Sequence, residues 1–236
     1  MSDGTASSAE IARFDALAER WWDPRGPMRA LHRMNPARID WVIDQTSRAF
    51  PGRVGLPVLD IGCGAGIAAE ALARHGHNVL GLDAAPATIA AAIAHGAGKN
   101  LPLHYRVGTA EDLADEGLRF PIITALEVIE HVSEKLSFLR TVARITEPGG
   151  LIVLSTLNRT ARSFLAAKVG AEYLLRWLPV GTHEWQRFVT PAELVALARQ
   201  AGLATCAMAG LSLDLLSGSW RITHDVSVNY LIALRT

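Results

Sequence analysis

The chain has 236 residues, half of them hydrophobic, and its 23 basic side chains balance 23 acidic ones. That length suits one domain with a buried core, and a formal charge of zero provides no global field, which argues against nucleic acid as a partner. The two cysteines, Cys63 and Cys206, lack disulfide or zinc-knuckle spacing, no basic stretch precedes an apolar N-terminal run, and no segment of about eighteen apolar residues occurs, so the sequence predicts a soluble, unexported protein with reduced thiols.

Residues 1 to about 10 are small and polar and predict no ordered element. Ile11, Phe14, Leu17, Ala18, Trp21 and Trp22 then recur at helical spacing, predicting a helix that lies over the core as a lid. Asn35-Pro36 reads as the N-cap and first-turn proline of a helix to about Phe50, which Pro51-Gly52 stops. Residues 1–50 are thus expected to form a helical cap, and 51–236 the main domain. Apolar strand patterns near 57–61, 78–82, 103–107, 120–126 and 151–156 alternate with helical ones near 65–75, 86–96 and 129–145. This alternation predicts an α/β fold, a Rossmann-like parallel sheet with helices on both faces. After the fifth strand the pattern breaks into a long insertion, about 158–189, before Thr190-Pro191-Ala192-Glu193 opens a helix as a capping box. Runs near 203–211 and 226–235 read as a closing antiparallel pair, giving seven strands.

The chemistry concentrates at strand ends. Val58-Leu59-Asp60-Ile61 is followed by Gly62, Gly64 and Gly66, and a second apolar run ends at Asp83. Glycines at every second position permit a tight turn and a close ligand approach, and a carboxylate at the next strand end can accept hydrogen bonds from two ribose hydroxyls. Dinucleotide folds need G-x-G-x-x-G, whereas the spacing here is G-x-G-x-G with Asp60 before it. This pattern resembles motif I of the class I S-adenosylmethionine-dependent methyltransferases. Gly81-Leu82-Asp83, Gly108-Thr109-Ala110-Glu111-Asp112 and Pro148-Gly149-Gly150 resemble, in order, that family's ribose-binding strand end, adenine loop and the turn before its fifth strand. The resemblance implies S-adenosylmethionine as cofactor, contacted by Asp60, Gly62, Gly64, Gly66, Asp83, Ala110, Glu111 and the backbone of Leu126.

Glu127, Glu130 and His131 follow the fourth strand, and as one helical turn they would project from one side into the crevice. Three readings fit. The acids could complement a helix N-terminus; His131 or a carboxylate could be a general base; or the trio could be a half-site for magnesium or another divalent ion, with His183 of the insertion as a fourth ligand. A similar Glu-x-x-Glu-His set occurs in magnesium-dependent RNA 2′-O-methyltransferases. Any of the catalytic readings answers one demand, because a phenol with a pKa of about 10 is mostly neutral at pH 7 and must be activated before it attacks a sulfonium methyl.

In the insertion, Lys168, Glu172 and Arg176 occupy one face of an expected helix, and Phe164, Ala167, Ala171, Leu174, Leu175 and Leu178 another. That pattern suits packing on the core. With Tyr173, Trp177 and a local positive charge it also suits contact with a membrane surface through Phe164, Tyr173, Leu174 and Trp177. Leu31 to Arg38, Ser155 to Arg159, Gly170 to Tyr173, Gly181-Thr182-His183 and Val228-Asn229-Tyr230 resemble the bacterial ubiquinone-biosynthesis O-methyltransferase family over roughly residues 11–235. That resemblance implies methylation of ring hydroxyls on polyprenylated phenols or quinols at two stages of one pathway, with Arg38 binding the cofactor. It also implies a cytoplasmic protein held peripherally at the inner membrane, with a biosynthetic complex as a candidate partner. Proline at position 121 departs from that family's usual aspartate but is tolerable at a strand's first residue. The same motifs would serve an O-methyltransferase of a soluble catechol or natural product, or a non-catalytic cofactor-binding subunit.

Overall fold

The computed structural model describes residues 8–164, 185–214 and 218–236. Five strands, β1 (Pro57–Ile61), β2 (Asn78–Asp83), β3 (Leu103–Val107), β4 (Phe120–Leu126) and β5 (Thr146–Leu157), run parallel in the order β3-β2-β1-β4-β5. Their central members are almost continuously apolar because helices cover both faces. The sheet continues through β8 (Asn229–Arg235), β6 (Ala204–Leu213) and β7 (Trp220–Thr223), with antiparallel pairing from β5 onward. Among the described residues the sheet therefore has eight strands where the sequence predicts seven. The extra one, β7, is a four-residue edge strand, too short for alternation to register. Pro148-Gly149-Gly150, expected as a turn, lies inside β5 as an irregularity: Phe120 pairs with Thr146 but Ile122 with Leu151.

Helices α5 (Ala110–Asp115), α6 (Lys135–Arg144) and α8 (Pro191–Gln200) pack Leu113, Phe138, Leu139, Leu194 and Ala198 on one face against Leu59, Ile123 and Ile152. Helices α2 (Arg29–Ala49), α3 (Ile67–Arg74) and α4 (Pro86–Gly96) cover the other, placing Ile39, Val42, Leu72 and Ile89 against Val58, Val79 and Ile122. The expected capping box is present: Thr190 accepts from the Glu193 amide and the Glu193 carboxylate accepts at Thr190. The start of α2 differs from the prediction. It begins at Arg29, so Pro36 lies inside the helix and Asn35 is no cap. Asn35 is buried and bridges instead, its Nδ2 donating to the Ile67 carbonyl at 3.0 Å and its Oδ1 accepting from Arg38 at 3.2 Å.

The predicted lid helix is divided into α1 (Ser8–Asp15) and a 3-10 turn at Ala18–Arg20. Asp15 Oδ1 accepts from the amides of Ala87 and Thr88, 3.0 and 3.2 Å away, satisfying donors at the N-terminus of α4. Beyond the turn, Trp22 Nε1 donates to the Ala65 carbonyl at 2.9 Å, and its ring stacks on His95. The segment thus crosses from α4 to the loop after β1. In the insertion, Lys168, Glu172, Tyr173, Leu174, Arg176, Trp177 and His183 lie outside the described residues. Its leading edge forms the single turn α7 (Ala161–Ser163), and the half-exposed Phe164 ring meets Trp185 edge-on. No helix among the described residues is long and apolar enough to cross a membrane.

Candidate active site

The strand order reverses between β1 and β4, and the loops beyond the carboxyl ends of β1, β2 and β4 meet there, where open α/β sheets bind ligands. Gly62, Gly64 and Gly66 all have left-handed backbones, with φ of +65°, +55° and +91°. A side chain at any of them would be strained and would also strike a neighbour: Val128 at Gly62, the Trp21 indole at Gly64 and the Tyr105 hydroxyl at Gly66. Gly66 is the N-cap of α3, so that helix starts at Ile67 and not near Ala65. Asp83 is tied to this loop. Its Oδ2 accepts from Gly64 N at 2.8 Å and its Oδ1 from Ala85 N at 2.9 Å, each oxygen keeping capacity for a further donor.

Asp60 is buried at the end of β1, with Oδ1 accepting from Thr124 Oγ1 at 2.6 Å and Oδ2 enclosed without a partner among the described residues. Burial pushes its pKa up to about 6, against the pull of Thr124 and Arg38. Arg38 is also buried, and among the described residues its Nε is likewise unpartnered. Burial lowers its pKa, opposed by Glu127, Asp60 and Glu130. An enclosed carboxylate oxygen and a guanidinium N–H awaiting partners, beside a glycine turn, suit the ammonium and carboxylate of an amino-acid tail. Ala110, buried, opens α5 behind a Thr109–Asp112 capping box, with Glu111 beside it; this loop joins the crevice through Gly108 N, which donates to the Asp83 carbonyl at 3.0 Å. Leu126 ends β4 opposite Ser155.

Glu127, Glu130 and His131 do not share a helix face. Only a 3-10 turn, Ile129–His131, forms here, and α6 starts later at Lys135. Glu127 has a left-handed backbone, φ +59°, outside any helix. Its carboxylate is clamped: Ser155 Oγ donates to Oε1 at 2.6 Å, Asn229 Nδ2 donates to both oxygens at 3.1 and 3.3 Å, and Arg38 is 3.9 Å away. Glu130 is buried and accepts from Thr156 Oγ1 at 2.8 Å; burial first, then the Glu127 charge, raise its pKa. His131 Nδ1 instead lies 3.0 Å from Glu10 Oε2 on α1. No group of three His, Cys, Asp or Glu among the described residues can hold a metal ion, and His183 lies outside them. The expected ion site therefore does not fit these side chains as they stand: each faces a different partner.

Sequence reasoning missed Asn229, Ser155, Thr156 and Glu10 as parts of the site. Ser155 and Thr156 gave no signal in an apolar strand. Asn229 is a buried amide inside the last apolar run, which does mark a polar task.

A glycine-turned strand end joined to an acidic second strand end, at the switch point of a sheet ordered 3-2-1-4-5 with an antiparallel extension, defines a class I S-adenosylmethionine-dependent methyltransferase. The methyltransferase-domain family profile matches residues 31–207. Ubiquinone biosynthesis O-methyltransferases from Azorhizobium caulinodans and Methylobacterium nodulans are each 47% identical, over 98% and 99% of this chain and 94% and 98% of their own. The chain belongs to the ubiquinone biosynthesis O-methyltransferase family. In fold it resembles magnesium protoporphyrin IX methyltransferase from Synechocystis with bound SAH (TM-score 0.63, 16% identity, covering 95% and 94% of the two chains). A methyltransferase from Aquifex aeolicus is similarly close (TM-score 0.62, 14% identity, 95% and 97%).

Proposed function

We propose that this protein methylates ring hydroxyls of prenylated phenols and quinols in ubiquinone biosynthesis, using S-adenosylmethionine, with His131 as the base. The observation that carries the reading is Asp83 bonded to the glycine turn, one loop away from an imidazole beside a carboxylate, in a chain similar along nearly its whole length to enzymes of that name. When bound, S-adenosylmethionine supplies a sulfonium methyl that passes to oxygen while the carbon–sulfur electron pair returns to sulfur. Asp83 holds the ribose, Arg38 the methionine carboxylate, Asp60 its ammonium side, Ala110 and Glu111 the adenine region, and the Leu126 backbone borders the methyl. His131 Nε2, without a partner among the described residues, accepts the phenol proton so that the oxygen attacks as an anion. Glu127, held by Ser155, Asn229 and Arg38, shapes the wall between cofactor and substrate.

Purified protein given methyl-labelled cofactor and a short-chain demethylubiquinol analogue under reducing conditions is expected to yield labelled ether; absence of label in the product overturns the reading. For an ion to enter, Glu127 and His131 would first have to give up their present partners. Chelation followed by magnesium re-addition separates the arrangements: loss and recovery of turnover assigns the ion, and unchanged turnover assigns the base. The amphipathic insertion, reached through Phe164, would bring the enzyme to a bilayer holding its substrate, at the cytoplasmic face of the inner membrane and in company with other enzymes of the pathway. Sedimentation with liposomes tests the first part; protein left wholly in the supernatant favours a soluble catechol as substrate.

A further inference from the structure

We propose that Glu10 is a positioning residue for the reaction: from α1 it orients the His131 imidazole and stabilises the charge the ring acquires, so that the N-terminal segment is part of the catalytic apparatus as well as its cover. The inference rests on His131 acting as the base. Three observations converge on this contact. Glu10 Oε2 lies 3.0 Å from His131 Nδ1, leaving Nε2 as the nitrogen available to substrate. The same oxygen is enclosed and, among the described residues, not aligned as a hydrogen bond to any group, so a small rotation of the carboxylate or the ring completes the bond. Such slack is usual in a site without its ligands, where catalytic hydrogen bonds tighten only in the reacting complex. Phe14, one helical turn along α1, meets the imidazole edge-on, with ring centroids 5.3 Å apart at 87°, so two side chains of one helix fix the ring's plane.

The charges are also arranged for this task. Burial pulls the His131 pKa down, yet contact with Glu10 and the nearby Glu130 raise it overall, while His131 lowers that of Glu10. Arg187, at the end of the insertion, approaches Glu10 Oε1 at 3.8 Å, and Arg13 is 3.9 Å from that oxygen. These cations keep Glu10 ionised and acceptor-only, and a carboxylate that accepts from Nδ1–H fixes the tautomer in which Nε2 carries a lone pair. The arrangement follows the logic by which a buried acid holds a catalytic imidazole in place without itself taking the proton.

The test compares Glu10→Gln, His131→Gln and the double variant in the full chain, with turnover of the demethylubiquinol analogue and calorimetric cofactor affinity read separately. Glu10→Gln is expected to lower kcat on the order of tenfold or more while cofactor Kd stays within about twofold, and to add nothing once His131 is replaced. Three results overturn the inference: unchanged kcat in Glu10→Gln, an equal loss in both backgrounds, or a loss confined to cofactor Kd, which would make Glu10 an anchor of the cover and nothing more. Activity retained in His131→Gln has a different meaning, since it removes the base itself. If Glu10→Gln fails to fold, Glu10→Asp keeps the charge at a shorter reach and should retain more kcat than Glu10→Ala; equal losses would again overturn the proposal.

Discussion

On the proposed reading, single residues at this site are strained or buried at a cost that cofactor binding would offset. Gly64 shows it: alanine there would occupy the left-handed region, costing on the order of 1–2 kcal/mol, and would push Trp21 away. Gly64→Ala should weaken cofactor binding at least about tenfold; calorimetry giving wild-type affinity would contradict the assignment of the loop. Asp60 makes a prediction about pH. Its pKa rises from 3.8 to about 6, so the folded cofactor-free protein holds this proton more tightly than the unfolded chain does. The associated stability is fully present below a pH of about 4 and is lost as pH rises through about 6, a decline on the order of 2–3 kcal/mol. Asp60→Asn should flatten that part of the stability curve, and denaturant midpoints measured across the range would reveal a persisting slope. At this scale the glycines, Asp60 and Asp83 were legible in the sequence because their spacing is short-range. Asn229 and Glu10 were not, since each gains meaning only from a residue more than a hundred positions away.

At the scale of elements, termini followed local rules except where a tertiary contact outweighed them. Thr190 caps α8 as its sequence indicates, and Thr190→Ala should cost about 1 kcal/mol in a denaturation measurement without altering kcat. Asn35-Pro36 carried the same kind of signal and misled. Seven further residues extend α2 towards the N-terminus, and the buried Asn35 amide serves Ile67 and Arg38 better than it would a helix end. Asn35→Ala should therefore act as the loss of a buried bridge: a decrease of about 1–3 kcal/mol in stability, accompanied by weaker cofactor binding because Arg38 loses its support. Stability reduced with cofactor affinity intact would separate the two roles. The segment after β4 failed for a related reason. Its acids read as the first turn of a helix, but Ser155, Thr156 and Asn229 bind the carboxylates individually and hold Glu127 in a conformation no helix contains.

Across the whole molecule the parallel half of the sheet was legible because each strand–helix unit announces itself by a change of period, and ligand position follows from strand order. The antiparallel edge was less so, its final strand pair being too brief to count. One aspect of that edge reaches the chemistry. β8 is inserted between β5 and β6, and its first residue, Asn229, reaches across to grip Glu127. The last of the described strands in chain order thus joins the two halves of the sheet and also holds a carboxylate of the candidate site. Competence in a refolding experiment should accordingly emerge in the same kinetic phase as burial of Tyr230, never ahead of it, so that a half-assembled polypeptide has no opportunity to spend its cofactor on water.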